Sequence, residues 1–468
     1  MAAPRGSSPR HRLAVLPFAN LGQDSTDDYL ADGLTEELIS SLSRLRRLRV
    51  VARTSMMTYK GTSKTISQVA SELGADTVLE GSVRKSEAKL RITVKLVDAA
   101  KDEYLWSQSY DREIDDILSV EHDIAERTVE ALRPRIGIEE GAYSRPRRIT
   151  SDPQAFLLYL QGRYCLTHHS HSEVKRAVEM FEKAAEIDPT FASAYAMWAQ
   201  CYMFMGFFGF IQPSEGFERA RPLLKMAIEI DEGLDLSHML MGRLLMDKDW
   251  DWAGAEAEFR RAIEISPNSA EAHYRYALLL NDLDRNGEAL VQVSMAEELE
   301  PLSVAVNQIA GTVLYFSGRN EDAIERLERA IEIDSRAALA HNNLGLALCH
   351  QRRADDGLAE IRRAMELDPD NAMFRADLCY AYAISGRKDE ARQVLARARG
   401  EMAGAHIPPV AIAGMHACLG DADGAIEWLR KAYEEHSPYL ASLKIEKWFD
   451  SLRSDSRFAE ILHEVGLD

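Results

Sequence analysis

Small side chains return at a fixed interval through the second half of the chain. Ala255, Ala289, Ala323, Gly357, Ala391 and Ala425 stand 34 residues apart, and Ala262, Ala296, Ala330, Ala364, Ala398 and Ala432 repeat the step seven residues later. Pro267, Pro301, Ser335 and Pro369 keep the same spacing. Three registers that agree predict a series of helical hairpins: the second helix of each needs small side chains where it crosses its neighbour, and a proline ends it. Ala220 and Ala227 precede the array by 35 residues, Ala177, Ala184 and Pro189 open it, and an insertion around Gly206 to Pro213 lengthens the loop of the second unit. About eight units are expected over residues 154–435. Residues 436–468 keep amphipathic spacing (Leu443, Trp448, Phe449, Leu452, Phe458, Ile461, Leu462, Val465) but lose the small-residue register, as a helical terminal cap would.

The amino-terminal part has a different period. An apolar run from Leu13 to Phe18 precedes helical spacing from Tyr29 to Leu48; strands are predicted at Leu48–Arg53 and Thr77–Arg84 around a helix at Ile66–Leu73. Leu90, Ile92, Val94 and Leu96 alternate strictly, Glu103–Tyr110 follows as another strand, and Ile117–Leu132 closes the series as a helix before Pro134. The order β-α-β-α-β-β-β-α predicts a small α+β domain over residues 13–136. A flexible tail (1–12) and a linker (137–153), with Gly137, Gly141 and Pro146 among Arg145, Arg147 and Arg148, complete the expected organisation.

Within the unit from Ala338 to Pro369, His341 stands in the slot usually held by Trp, followed by Leu344, Gly345 and Leu348, with Ile361 before Ala364. This pattern resembles the tetratricopeptide (TPR) repeat and implies an all-α solenoid wound as a right-handed superhelix. The stretches Leu13–Phe18, Asp32-Gly33-Leu34-Thr35-Glu36-Glu37-Leu38, Tyr59-Lys60-Gly61, Leu79–Arg84 and Leu105-Trp106-Ser107 resemble the TolB amino-terminal-like domain that accompanies TPR arrays in many bacterial proteins. In that family such modules are often fused behind a class III adenylate cyclase, a winged-helix domain or a protein kinase; no stretch of those types is found in these 468 residues. Gly33, Gly61, Gly74 and Gly81 are read as marking the ends of helices and strands. Neither a strand-GxGxxG-helix context nor a GxxxxGK[ST] loop is present, so no nucleotide cofactor is expected.

Charge changes the picture of the partner. Residues 1–150 balance 23 Lys/Arg against 23 Asp/Glu, while the remainder holds 33 against 52, so the whole excess of -19 lies in the repeats. An acidic surface repels phosphate backbones, which disfavours nucleic acid and favours basic or neutral protein segments. Five scattered cysteines (Cys165, Cys201, Cys349, Cys379, Cys418) without a Cys-x-x-Cys pair are expected to be reduced, buried thiols. The apolar run after Arg12 is too short for a signal-peptide core, and no stretch has the roughly 18 apolar residues of a membrane span. A cytoplasmic protein that does not engage a membrane is expected.

Few residues suggest chemistry. His168, His169 and His171 would be the first metal candidates, but no cysteine or helix-spaced fourth ligand accompanies them, and a solvated turn between two helices is the better reading. Arg44, Arg46, Arg47, Arg49 and Arg53 lack interleaved aromatics and read as a helix end, with an acidic docking partner as the alternative. Asp111, Glu113, Asp115 and Asp116 lack the glycine and spacing of a calcium loop and read as an acidic helix start. With no arrangement that suggests a nucleophile, no catalytic residue, metal or cofactor is expected, and the chain reads as a non-enzyme.

The TPR resemblance also implies a binding surface. Repeat positions 2, 5, 9 and 12 of each first helix face a concave groove, which here means Glu271, Tyr274, Leu278 and Asn281; Ala305, Gln308, Thr312 and Tyr315; Leu339, Asn342, Leu346 and Cys349; and Met373, Ala376, Tyr380 and Ala383. Glu271, Tyr274, Asn281, Gln308, Thr312, Tyr315, Asn342, Leu346 and Tyr380 form the candidate peptide site. Asn and Gln pair with both groups of an extended backbone, and Tyr offers flat apolar area with a polar tip. Packing between repeats competes with binding as the role of each. The Lys/Arg set that clamps a terminal carboxylate in some TPR proteins is absent from these positions. The resulting expectation is a scaffold binding extended protein segments, the alternative a regulatory subunit of a separate adenylate cyclase, kinase or transcriptional regulator.

Overall fold

The computed structural model describes residues 11–136 (except 23, 25, 26 and 46), 149–401 (except 168, 169, 208, 209 and 370) and 407–468. Residues 1–10 of the expected tail, the arginine linker, Arg46, His168 and His169 lie outside the described residues, so the expectations placed on them rest on sequence alone, whereas His11 and Arg12, expected in the tail, already belong to the first strand. Contacts divide the chain into two compact units, Met1–Met241 with Arg260–Ala270, and Gly242–Phe259 with Glu271–Asp468. This division falls within the helical array.

The first unit opens with a mixed sheet. Its strands are β1 (His11–Val15), β2 (Ala19–Asn20), β3 (Leu48–Val50), β4 (Thr77–Ser86), β5 (Lys89–Asp98) and β6 (Glu103–Glu113). They lie in the order β3-β1-β4-β5-β6, with β2 beside the far end of β4. β1 runs parallel to β3 and β4, whereas β4, β5 and β6 form an antiparallel meander. α1 (Asp28–Ser43), the short α2 (Arg53–Met57), α3 (Ile66–Leu73) and α4 (Ile117–Ile136) complete the domain. α3 has a complete capping box between Thr65 and Gln68 and ends at Gly74 with φ 60°, so both of its boundaries are written locally. α4 runs through Pro134 to Ile136, beyond the predicted stop. Gly33 and Gly81, expected at element ends, lie inside α1 and β4 instead. A Cβ at Gly33 would stand 2.8 Å from Leu160, and one at Gly81 would stand 2.6 Å from the Phe18 ring, so close packing is what requires glycine.

Helical hairpins follow. In the first unit α5 (Pro153–Leu166) pairs with α6 (His171–Ile187), and α7 (Ala192–Phe207) with α8 (Pro213–Ile230). α5 starts where Asp152 accepts from the amides of Gln154 and Ala155 and Pro153 needs no donor partner. α9 (Asp235–Leu244) and α10 (Trp252–Ile265) span the division between units. In the second unit α11 (Ala270–Asp282), α13 (Val304–Phe316), α15 (Ala338–His350), α17 (Met373–Ile384) and α19 (Pro409–Cys418) are the first helices. Their partners are α12 (Asn286–Leu299), α14 (Asn320–Ile333), α16 (Ala354–Leu367), α18 (Lys388–Glu401) and α20 (Ala422–Glu434). The small-residue rows fall on the second helices: Ala289, Ala323, Ala391, Ala425 and their partners seven residues on are fully buried. The chain is thus a small α/β domain followed by a TPR-type helical array.

The turns inside the hairpins repeat as well. Asp284, Gly318, Arg352, Gly386 and Gly420 all adopt positive φ (61°, 77°, 62°, 78° and 81°), the left-handed residue that ends a helix. Next come Arg285, Arg319, Arg353 and Arg387, each paired three residues on with Glu288, Asp322, Asp356 or Glu390 in the first turn of the second helix.

Within the first unit, α1 packs on α5, so the sheet domain is seated directly on the first hairpin. Glu36 and Glu37 are buried there, 6% and 7% exposed. Arg163 of α5 approaches Glu36 at 2.5 Å and Glu37 closer still, and Arg53 bonds the other oxygen of Glu36. Asn268 donates its side-chain amide to the carbonyls of Ser43, Leu45 and Leu48 at 2.7 to 3.1 Å, fixing the turn from α1 into β3. Arg44, read as a solvated helix end, lies 4.0 Å from Asp235, and Arg53 is engaged as above.

Candidate functional site: the groove of the second unit

The candidate groove residues come from α11, α13, α15 and α17, and the structure brings several of them onto one strip of chain. After α20, residues Pro438–Ser442 and Lys447–Leu452 form two 3-10 turns, and α21 (Ser456–Val465) follows. Lys447 places its ammonium 3.7 Å from the centre of the Tyr315 ring and donates to the Tyr315 carbonyl at 2.9 Å. The Trp448 indole donates to one oxygen of Asp377 at 3.0 Å while Asn342 donates to the other at 2.8 Å. His350 and the Tyr380 hydroxyl are 3.0 Å apart, and the His350 ring meets Tyr315 edge-on. Phe449, Leu452 and Leu443 sink into the same apolar core as Leu346 and Tyr380.

The surface is therefore covered where an open lining was expected. Tyr315, Asn342, Leu346 and Tyr380 are 2 to 6% exposed. Asn281 is also buried, its side-chain oxygen without a partner, next to buried Asp282. Glu271, Tyr274, Gln308 and Thr312 are half-buried. Glu271 pairs with Arg275 at 3.1 Å, Arg275 stacks on Tyr274, and Thr312 accepts from Asn343 at 2.8 Å. Leu339, another of the groove positions of α15, is 43% exposed.

Electrostatics follow from the burial. Burial pushes the Asp377 carboxyl up to about 6, against the lowering effect of the Asn342 and Trp448 hydrogen bonds. Burial, reinforced by Asp377, pushes Glu446 up to about 8. Lys447 is lowered by burial, and His350 is pushed down to about 4 by burial and by Lys447. Asp282 is raised to about 8 by burial and by Asp247, which bonds Arg243 at 3.2 Å. The residues that sequence reasoning missed are Asp377, His350, Lys447 and Trp448. A usable signal existed in Lys447-Trp448-Phe449, a cation and two large aromatics in the stretch that had left the repeat register.

The other candidates are accounted for only where their residues are described. Among the described residues no group of three His, Cys, Asp or Glu is placed to hold a metal ion, and His171 stacks on Phe210 at 4.6 Å. Asp111 pairs with Arg91 on the neighbouring strand, while Asp115 and Asp116 lie in the turn before α4. Cys165, Cys201, Cys349 and Cys379 are buried free thiols. No helix among the described residues is long and apolar enough to cross a membrane.

A family model described as HilA/YgeH-like transcriptional regulator, second domain, matches residues 9–127, and a TPR repeat model matches residues 311–351. A protein of Rhizobium meliloti (strain 1021) named "Putative adenylate cyclase 3" is 38% identical over 186 residues, 39% of this chain. The chain spans only 31% of that relative's length. Among solved structures, PilW, a type IV pilus biogenesis factor, aligns over 46% of this chain and 95% of its own at 16% identity and a TM-score of 0.39. YrrB, a TPR protein described as having an unusual peptide-binding site, aligns over 39% and 93% at 21% identity and a TM-score of 0.29.

Proposed function

We propose that the chain is a non-catalytic interaction module whose second unit binds a segment of a partner protein along the first helices of its repeats. The TPR repeats support a protein-interaction role. The observation that carries the finer reading is that α13, α15 and α17 already hold an irregular peptide segment: the ring and backbone carbonyl of Tyr315 hold a lysine, and Asp377, backed by Asn342, binds a tryptophan. The acidic balance of the repeats favours a basic or neutral segment. A photo-crosslinking residue at Leu339, an exposed groove position, compared with one at Val291 of α12, 59% exposed, tests this in native lysate. Enrichment of one protein from Leu339 but not from Val291 is expected; identical products from both positions would count against the groove.

A second reading is favoured by the match to a cyclase-named relative and by the regulator family matched at residues 9–127. In it the chain regulates an adenylate cyclase, kinase or transcriptional regulator in the cytoplasm, with the sheet domain, which resembles the TolB amino-terminal-like domain, as the coupling element. Addition of the purified chain to a purified adenylate cyclase of the same organism should change cyclic AMP output; an unchanged output across a range of ratios removes the cyclase form of this reading.

A further inference from the structure

The geometry assigns a chemistry to the groove. We propose that α13, α15, α17 and α19 recognise a segment in which lysine is followed directly by tryptophan, and that residues 443–452 occupy this site in cis until such a segment of a partner displaces them. The inference rests on the interaction reading above and adds to it the ligand and the state of the site.

Three features define the ligand. The carbonyl and ring face of Tyr315 take a cation, since an ammonium over an aromatic ring is held by the ring quadrupole and bonded by the carbonyl. A slot beside α19 takes an indole: a Cβ at Gly414 would stand 2.5 Å from the Trp448 ring, so the absence of a side chain there makes the space. Asp377, itself buried and 7% exposed, accepts the indole N–H and is oriented by Asn342, a polar pair with no apolar function. Lysine and tryptophan adjacent in sequence satisfy all three.

Two features make the cis segment displaceable. It is a turn followed by one short 3-10 stretch (Lys447–Leu452) rather than a continuous helix, and it carries Glu446 and Lys447 into a partly buried setting that disfavours both charges. The chain on either side has anchors of its own in addition to its contacts with the segment. α20 and α21 are joined by Arg430 with Glu460 and Glu464, and by Arg457 with Asp423, while Trp252 bonds the Val465 carbonyl at 2.9 Å. Departure of residues 443–452 gives up the Phe449–Phe458 ring contact at 5.8 Å and the Lys444–Asp468 hydrogen bond, and these other anchors are what hold α21 in place without them.

The test uses a fluorescein-labelled peptide with the sequence of residues 443–453, followed by fluorescence anisotropy on the full chain. The Lys447→Ala/Trp448→Ala variant is expected to bind at least about tenfold more tightly than wild type, the factor for a site that is free about a tenth of the time. Adding Gly414→Ala to the double variant should abolish binding by filling the slot. Lys447→Ala alone, which keeps the aromatic core, should give roughly a fivefold gain and guards against a folding defect in the double variant. Equal affinity of wild type and both variants, with unchanged helical circular dichroism, overturns the proposal. If the peptide fails but Leu339 still crosslinks one protein, the cis ligand is wrong and the interaction reading stands; if the peptide binds and no protein is crosslinked, the reverse holds.

Discussion

Removing Arg163, the cation that bridges Glu36 and Glu37, should be among the most damaging changes available in the first unit, because Glu37 loses its ion pair while Arg53 holds only Glu36. Both carboxylates are buried, and Arg163 touches each of them while stacking on Tyr159. Burial raises the Glu37 carboxyl and Arg163 opposes that rise; burial alone would lower Arg163, but Tyr159, Glu36 and Glu37 hold its proton more firmly than usual. Breaking a buried pair by deleting one partner costs about 3 to 5 kcal/mol because the other charge is left uncompensated. Arg163→Met keeps much of the volume and removes the charge together with the hydrogen bonds to Glu37 and Tyr159. At about 2 to 4 °C per kcal/mol for a unit of this size, the melting transition should fall by roughly 10 °C. Differential scanning calorimetry reads the transition, and amide exchange in α1 and α5 assigns it to the first unit. Glu36→Leu/Glu37→Met added to Arg163→Met should recover most of the loss, since apolar replacements of a buried ionic cluster are often neutral. A fall of less than about 2 °C for Arg163→Met, or no recovery in the triple variant, would refute the reasoning.

Further outcomes can be checked in the same way. Folded values near 8 for Asp282 and Glu446 and near 6 for Asp377, against ordinary values of 3.8 to 4.5, mean that the folded second unit holds protons the unfolded chain has released. Their contribution to stability is full below about pH 4 and lost as pH rises through 6 to 8, so the melting temperature of that unit should fall from pH 5 to 8.5, and Asp282→Asn should flatten part of the slope. Arg352→Gly, at a left-handed turn position where other repeats carry glycine, should stabilise the unit by about 1 kcal/mol in a urea titration; a loss would show that the side chain does more than strain the turn. Asn268→Ala leaves three carbonyls of the α1–β3 turn without their donor and should cost about 1 to 3 kcal/mol, with faster amide exchange at residues 43–50.

Much of the fold is legible because its information is local. The 34-residue rows place small side chains where helices cross, and the alternation of Leu90, Ile92, Val94 and Leu96 gives a strand buried on one face. Thr65 and Gly74 bound α3 to the residue. What sequence does not disclose is set by contacts distant along the chain. Gly33 looks like an element end until Leu160 arrives against it, and the Glu36-Glu37 pair looks like an exposed helix face until Arg163 is brought over it. Tyr315, Asn342 and Tyr380 were placed on the concave side by register alone, and register carries no mark of the segment that covers them. A segment that fills a groove need not repeat, so only its composition, here a lysine and two aromatics, signals its destination.

Whether residues 443–452 occupy a peptide site can be read by hydrogen exchange and mass spectrometry. The full chain is followed with and without a saturating peptide of residues 443–453. The account predicts that added peptide speeds exchange across residues 443–452 while α13, α15, α17 and α19 stay as protected as before. Unchanged protection of 443–452 with peptide bound, or loss of protection in all of these helices together, would contradict it.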